Sequence, residues 1–272
     1  MFISVAMCSC NGEDFIEEQI RSILDQTMPV DEIIIFDDKS DDNTVFKINH
    51  LMRQFSKIKL FQNENRVGAK KNFESCIMQT KGDIILLADQ DDVWFENKVE
   101  KLVGALGENK RNLLVFTDGV LVNEEGKKIG TSETLWTRWG FTLGLQVKWR
   151  DNVNAFLELS QNRNKITGAT VAFKAQLKKY IFPFELPDNY WHDAWLGLVA
   201  AGRNGLMFIN EPTIYYRIHD RQQIGIKQKP VPFESGKANV TQYMFERRVR
   251  EISPRLKLLL RRLKNKLPLF LR

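Results

Sequence analysis

The residues with the clearest chemical capacity are acidic and sit at the ends of apolar runs. Asp89-Gln90-Asp91 is an acidic pair separated by one residue, directly after a buried-looking strand. Carboxylates so placed can ligate a hard divalent cation that also binds diphosphate oxygens. The same string also reads as loop acids in solvent, with Asp92 capping the next helix, because helix N-termini favour Asp for unrelated reasons. Asp37-Asp38-Lys39-Ser40-Asp41-Asp42 divides similarly. Asp41 or Asp42 is most simply the cap of a helix over 44–55, whereas Asp38, at the strand end, is placed to accept a hydrogen bond from a base N–H. The spacing lacks the glycine and terminal Glu of an EF-hand loop. A P-loop and a G-x-G-x-x-G string are both absent, which weighs against ordinary NTPase and dinucleotide readings. His219, after a strand, reads either as structural or as a metal ligand. Trp191 and Trp195 flank Asp193 and read either as a sugar-stacking pair or as core.

The elements that must position these residues follow from periodicity. Short β-branched and apolar runs at 2–7, 32–36, 58–61, 83–88 and 113–116 read as buried strands. Between them, apolar residues recur at helical spacing, as in Phe15, Ile16, Ile20, Ile23 and Leu24. Strand-helix alternation predicts an α/β fold, a mostly parallel sheet with helices on both faces. Ligands of such sheets bind beyond the carboxyl ends of the strands, where the polar loops at Cys8–Gly12, 37–42 and 89–92 converge. Residues 119–165 are less regular: Glu124-Glu125-Gly126 reads as a hairpin turn, and Trp136, Trp139, Phe141 and Trp149 as core or lid. A strand at 166–173, a helix at 191–201 and a strand at 213–218 complete the body.

The chain has 272 residues, 43% hydrophobic and 27% charged, with a formal net charge of +6. That composition supports a well-cored globular protein. From position 240 onward there are ten basic and two acidic residues, a charge of +8; the first 239 residues hold the other 30 and 32 and sum to −2. The body therefore lacks the basic face a nucleic-acid partner needs. In the tail, Ser253-Pro254 opens a stripe of Leu256, Leu259, Leu260, Leu263 and Leu267, flanked by Arg and Lys. This predicts a basic amphipathic helix that either seeks an anionic membrane surface or packs on protein. Three cysteines, Cys8, Cys10 and Cys76, argue against a disulfide framework, and a lone C-x-C makes a poor zinc site. No apolar run approaches the ~18 residues needed to span a bilayer, and the N-terminus lacks a charged leader, so the expected location is cytoplasmic.

Taken in order, these strings resemble the family 2 glycosyltransferases of the GT-A fold. They are Ser4 to Asn11, Asp37-Asp38-Lys39-Ser40, Gly68-Ala69-Lys70-Lys71-Asn72, Asp89-Gln90-Asp91-Asp92-Val93-Trp94, Thr167-Gly168-Ala169-Thr170, His192-Asp193-Ala194-Trp195 and Tyr216-Arg217-Ile218-His219. The later strings look most like a bacterial rhamnosyltransferase-like branch, and the resemblance covers about residues 2–226. It implies a GT-A domain over 1–239, with a nucleotide-binding half (1–118) and an acceptor-binding half (119–239), followed by the amphipathic tail (240–272). It further implies that Ser9, Asn11, Asp38, Lys71, Asp89, Gln90 and Asp91 bind a nucleotide sugar, and that Asp91, Asp89 and His219 surround Mg²⁺ or Mn²⁺. Asp193 falls at the catalytic-base position, with Trp191, His192 and Trp195 at the acceptor. Three positions depart from the family pattern: Cys10 stands for an aromatic residue, Lys39 for a glycine, and His192 where many relatives have Glu. The expected activity is inverting, metal-dependent transfer of a sugar, possibly rhamnose, to a saccharide or lipid-linked acceptor of a bacterial surface polysaccharide, at the inner face of the membrane. A nucleotidyltransferase and a non-catalytic nucleotide-sugar or membrane-binding protein are the alternatives.

Overall fold

The structure, a computed structural model, describes residues 1–222 together with Arg247 and Arg248. It opens with the anticipated alternation: β1 (Ile3–Ser9), α1 (Ile16–Leu24), β2 (Glu32–Asp37), α2 (Thr44–Met52), β3 (Ile58–Gln62), α3 (Ala69–Gln79) and β4 (Ile84–Ala88). β1, β2 and β4 are buried along their whole length, as central parallel strands covered on both faces must be. They pair in the order β3-β2-β1-β4, all parallel, with Val5 opposite both Ile33 and Leu86. The helices dock through the stripes their spacing supplied: Ile16, Ile20 and Ile23 of α1, and Phe73, Cys76 and Ile77 of α3.

Past β4 the sheet becomes mixed. The chain continues through β5 (Val93–Trp94), α4 (Lys98–Glu108), β6 (Leu114–Val122), α5 (Leu135–Trp139), α6 (Leu143–Trp149), α7 (Asn152–Ser160), β7 (Ala172–Lys174), α8 (Lys178–Ile181), α9 (His192–Gly202) and β8 (Leu206–Arg217). β7 inserts antiparallel between β4 and β6, while β8 runs parallel to β6 and antiparallel to β5. The strand expected at 166–173 is shorter, because Gly168–Thr170 forms a 3-10 turn before β7. β6 is longer than expected and runs through position 118, and the 44–55 helix stops at Met52.

The irregular stretch extends the core with an aromatic cluster. Phe116, Trp136, Phe141, Trp149 and Phe208 pack mainly edge-to-face, with Trp136 and Phe141 centroids 4.9 Å apart. A reciprocal Thr134–Thr137 box starts α5 and Gly140, at φ 65°, ends it. Glu124-Glu125-Gly126 is the expected turn, with the Gly126 N–H donating to the Asn123 carbonyl. No helix among the described residues is long and apolar enough to cross a membrane. The amphipathic helix read over the tail lies outside the described residues, apart from Arg247 and Arg248. Arg248 donates to the Phe182 carbonyl at 2.9 Å and lies 4.9 Å from the Trp195 ring centroid, so this point of the tail rests on the body.

Candidate active site

The carboxyl ends of β1, β2 and β4 open onto a cavity of about 320 Å³, whose far wall comes from the 162–168 segment and the start of α9. A cavity of that size and position suits a small-molecule ligand. On the β1 side, the Ser9 hydroxyl donates to Asp37 at 2.9 Å. Asp38 accepts from the Asn63 amide at 2.9 Å and from the backbone N–H groups of Val67 (2.7 Å) and Gly68 (2.8 Å). Asp38 thus lines the cavity while pinning the loop that leads into α3. Asn11 sits back from the cavity: its side chain exchanges hydrogen bonds with Asp41, and its backbone N–H donates to Ser40. Asp42 accepts from the Thr44 N–H at 2.9 Å just before α2, whose N-cap position is Asn43, so neither Asp41 nor Asp42 is the cap residue itself.

The Asp89 string splits into separate tasks. Gln90 accepts from the Cys10 N–H at 2.7 Å and donates to the Cys10 carbonyl at 3.1 Å, clasping the β4 loop to the β1 exit. The clasp needs Gly12, because a Cβ there would lie 2.4 Å from Oε1 of Gln90. Asp91 meets His219, with Nε2 2.9 Å from Oδ2. Asp89 lines the cavity beside them, and burial, then its neighbours Asp91 and Asp193, pushes its carboxyl up to about 7. Asp92 is no helix cap. It is buried and accepts from the Arg217 N–H at 3.1 Å, while α4 begins only at Lys98.

Two buried basic side chains brace this acidic corner: Lys98 was not singled out from sequence, and Arg217 entered only within the Tyr216–His219 string, without a role. The Arg217 guanidinium donates to the carbonyls of Asp91 (2.9 Å) and Glu124 (2.6 Å) and to the Glu18 carboxylate (2.6 Å). Lys98 donates to the Ala169 carbonyl at 2.5 Å and stands 3.7 Å from the Trp94 ring centroid, with burial holding its ammonium well below the usual lysine range. A Lys inside the buried stripe of α4 was the available signal.

Asp193 faces the acidic corner from the first turn of α9. Burial pushes its carboxyl up to about 7, against hydrogen bonds from the N–H groups of Ala194 and Gly168 and the Asn164 side chain. The Asn164 amide donates to Oδ1 of Asp193 at 3.1 Å and bridges Ile166 through both its oxygen and its nitrogen. A Cβ at Gly168 would come 3.0 Å from His192 Nε2, so any larger residue in the turn carrying that N–H would crowd the imidazole. His192 stacks on Phe73 at 4.1 Å between centroids, and burial drops its imidazole to about 3, so it is neutral. Trp139, Asn162, Asn189 and Trp191 complete this wall.

Besides Asn11, two further expected contacts lie outside the cavity lining. Trp195 is fully buried, its indole N–H donating to the Ile181 carbonyl at 2.8 Å, so it is core and no acceptor contact. Lys71 points to solvent and pairs with Glu74 at 2.6 Å, outside the cavity lining, because the inward face of α3 belongs to Asn72 and Phe73. The neighbouring Lys70 instead donates to the carbonyls of Pro187 (2.9 Å) and Asp188 (3.0 Å), tying α3 to the segment before α9.

Asp91, Asp89 and His219 offer carboxylate oxygens and an imidazole nitrogen, a donor set suited to a divalent cation. The His219 Nδ1 is buried without a partner, while its Nε2 is directed at Asp91. No group of three ligating side chains forms among the described residues. A bound ion would therefore complete its shell with water or ligand oxygens, as cations at diphosphates do.

Comparison with known proteins agrees with this geometry. The family model for glycosyl transferase family 2 matches residues 4–181. The dTDP-rhamnosyl transferase RfbG of Shigella flexneri is 28% identical over 232 residues, spanning 80% of this chain and 73% of that protein. Among solved structures, Staphylococcus aureus TarS 1-349 in complex with UDP-GlcNAc superposes with a TM-score of 0.60 at 19% identity, over 93% of this chain and 66% of that one. The mannosyltransferase PcManGT from Pyrobaculum calidifontis, in complex with GDP-Man and Mn²⁺, gives 0.57 at 17% identity, over 80% and 57%. The mixed sheet with its flanking helices is thus the GT-A fold, and both the nucleotidyltransferase and the non-catalytic alternative fall away. With two thirds of its length matched by one family model, the chain belongs to glycosyl transferase family 2.

Proposed function

We propose that this glycosyltransferase moves a sugar from a nucleoside-diphosphate sugar to a saccharide hydroxyl by a single displacement that inverts the anomeric centre. The observation that carries this reading is the placement of Asp193 and Asp91 on the lining of one cavity, with His219 paired to Asp91 behind that lining. Ser9, Asp38 and Asp89 line the donor side. Trp139, Trp191, His192 and the asparagines around Asp193 line the acceptor side, where indole faces and amides suit a sugar. Asp193 takes the proton of the attacking hydroxyl as its oxygen bonds to C1, while the C1–O bond to phosphate breaks and the nucleoside diphosphate leaves. Its raised basicity fits that task, since a carboxyl near 7 is both substantially ionised at neutral pH and a far better base than a solvated Asp. A divalent cation, Mn²⁺ or Mg²⁺, held at Asp91 and completed by water and ligand oxygens would offset the charge gathering on the departing diphosphate.

Similarity to RfbG supports dTDP-rhamnose as the donor and a bacterial surface polysaccharide as the destination. The basic leucine-striped tail supports a lipid-linked acceptor and attachment to the inner membrane face. The decisive assay incubates the chain with dTDP-rhamnose, UDP-glucose or UDP-GlcNAc, a saccharide acceptor and Mn²⁺, and identifies the products. Release of nucleoside diphosphate with an inverted glycoside supports the proposal; a retained anomeric configuration refutes it. Liposome co-sedimentation unchanged by deleting residues 246–272 refutes the membrane part.

A further inference from the structure

Two residues past His219, the described chain places Arg221 on the cavity lining, where it is the one Lys or Arg among the described lining residues. The lining also includes the carboxylates of Asp38, Asp89, Asp91 and Asp193. A nucleoside-diphosphate sugar would bring further negative charge into that wall, so a cation able to reach it has an outsized electrostatic role.

Arg221 and Arg217 stand on the same aromatic ring yet differ in freedom. Phe15 lies 4.8 Å from the Arg217 guanidinium, 5.9 Å from that of Arg221 and 4.8 Å from the His219 ring centroid. One ring therefore backs the Asp91 partner and both arginines. The Arg217 guanidinium is buried and fixed by the Asp91 and Glu124 carbonyls and the Glu18 carboxylate. Arg221 is 56% exposed and, among the described residues, its ion pairs are with Asp14 and with Glu124 at 3.2 Å, carboxylates that are themselves 48% and 52% exposed. Exposed ion pairs contribute little and exchange readily. A guanidinium fork matches two phosphate oxygens at once, in shorter and stronger charge-assisted bonds.

We infer that Arg221 is a donor-binding side chain that leaves Asp14 and Glu124 to take the diphosphate of the nucleotide sugar. Asp14 and Glu124 act as its resting partners and compete with the ligand. The inference rests on the nucleotide-sugar reading of the cavity and adds to it a diphosphate contact, with a built-in competitor, outside the acidic motif.

The test is calorimetric titration of the full chain, in buffer containing Mn²⁺, with UDP, dTDP and GDP and with the matching nucleoside monophosphates. For whichever base the wild type binds, Arg221→Gln weakens diphosphate binding about tenfold and monophosphate binding much less, the loss expected for one charge-assisted contact. Arg221→Lys recovers part of the loss. Asp14→Asn tightens diphosphate binding two- to threefold, about the strength of an exposed pair. Diphosphate affinity unchanged in Arg221→Gln, or mono- and diphosphate affinity reduced equally, overturns the inference. A wild type that binds none of these nucleotides overturns the nucleotide-sugar reading itself, so the two failures are distinguishable.

Discussion

Replacing Asn164 with alanine isolates what its wall of the cavity does to Asp193, the proposed base. The Asp193 carboxylate collects an N–H from Ala194 at 2.6 Å, the Asn164 amide at 3.1 Å, and the Gly168 N–H. All three favour its charged form, while burial pushes the carboxyl up to about 7. Hydrogen bonds to charged groups contribute about 1.5–3 kcal/mol, and the 3.1 Å length places this one near the lower end. Since 1.36 kcal/mol is one pKa unit, removing the amide should raise Asp193 from about 7 to about 8. A general base works when deprotonated, so its active fraction at pH 7 should fall from about one half to about one tenth, a roughly fivefold loss. At pH 9 both forms are mostly ionised and the loss shrinks to less than about 1.5-fold. The assay is the pH profile of kcat/KM, which reports the free enzyme, for wild type and Asn164→Ala from pH 5.5 to 9.5. A profile lowered by one factor at every pH, with its midpoint still near 7, refutes the electrostatic argument and leaves Asn164 only the task of bridging Ile166.

Three further outcomes follow from the same geometry. Asp193→Asn should cut transfer about 10²- to 10⁴-fold while nucleotide binding persists. Because the folded carboxyl is raised above its unfolded value of 3.8, the wild type loses stability as pH rises from about 4 to about 7. About three pKa units at 1.36 kcal/mol each is about 4 kcal/mol, so the Asn variant should melt on the order of 10 °C higher than wild type at pH 8, with no such gain at pH 4; equal midpoints at both pH values would contradict the buried-acid account. Arg217→Met strands the Asp91 and Glu124 carbonyls and should cost about 2–4 kcal/mol by urea unfolding; a cost below ~0.5 kcal/mol would mean that the guanidinium braces nothing. Trp191→Ala and Trp139→Ala should raise the acceptor KM about tenfold and leave the donor KM unchanged, whereas Trp195→Ala should destabilise by about 3–5 kcal/mol. A donor KM that moves with the acceptor KM would place the indoles on the wrong side of the cavity.

The parallel half was legible because its rules are local. β-branched runs, helical stripes and polar loops after Ser9, Asp37 and Ala88 state their own strand direction, and parallel strands bring their carboxyl ends to one edge. Asp38, Asp89 and Asp91 could therefore be placed near one another before any contact was known. Lys71 failed for a reason of the same scale: a one-position shift on α3 moves a side chain about 100° around the axis, away from the face that Asn72 and Phe73 fill. Trp195 failed because α9 is apolar on nearly every side, so no stripe distinguishes wall from core. The two tryptophans flanking Asp193 are four positions apart, yet only the one outside the helix reaches the cavity.

The bracing roles of Lys98 and Arg217 were illegible, and His219 was read only as a possible ligand, because they belong to pairings between distant segments. β7 enters the sheet antiparallel between β4 and β6, and β8 follows parallel to β6 with register shifts at Thr117/Asp118 and Asp118/Val120. This pairing returns the end of β8 to the β4 loop, so that Arg217 reaches Asp91 and Asp92 across more than a hundred residues and His219 meets Asp91. The covering strand β5 pairs with β8 as well, fixing the Val93-Trp94 exit of the acidic string against Tyr215 and Ile214. The acidic motif at the end of β4 is thus held from below by Lys98 and Arg217 and faced by His219, all set by the mixed half of the sheet. A D-x-D string read alone was equally compatible with loop acids in solvent; the strand that returns beneath it is what makes Asp91 a candidate ligand rather than a surface charge.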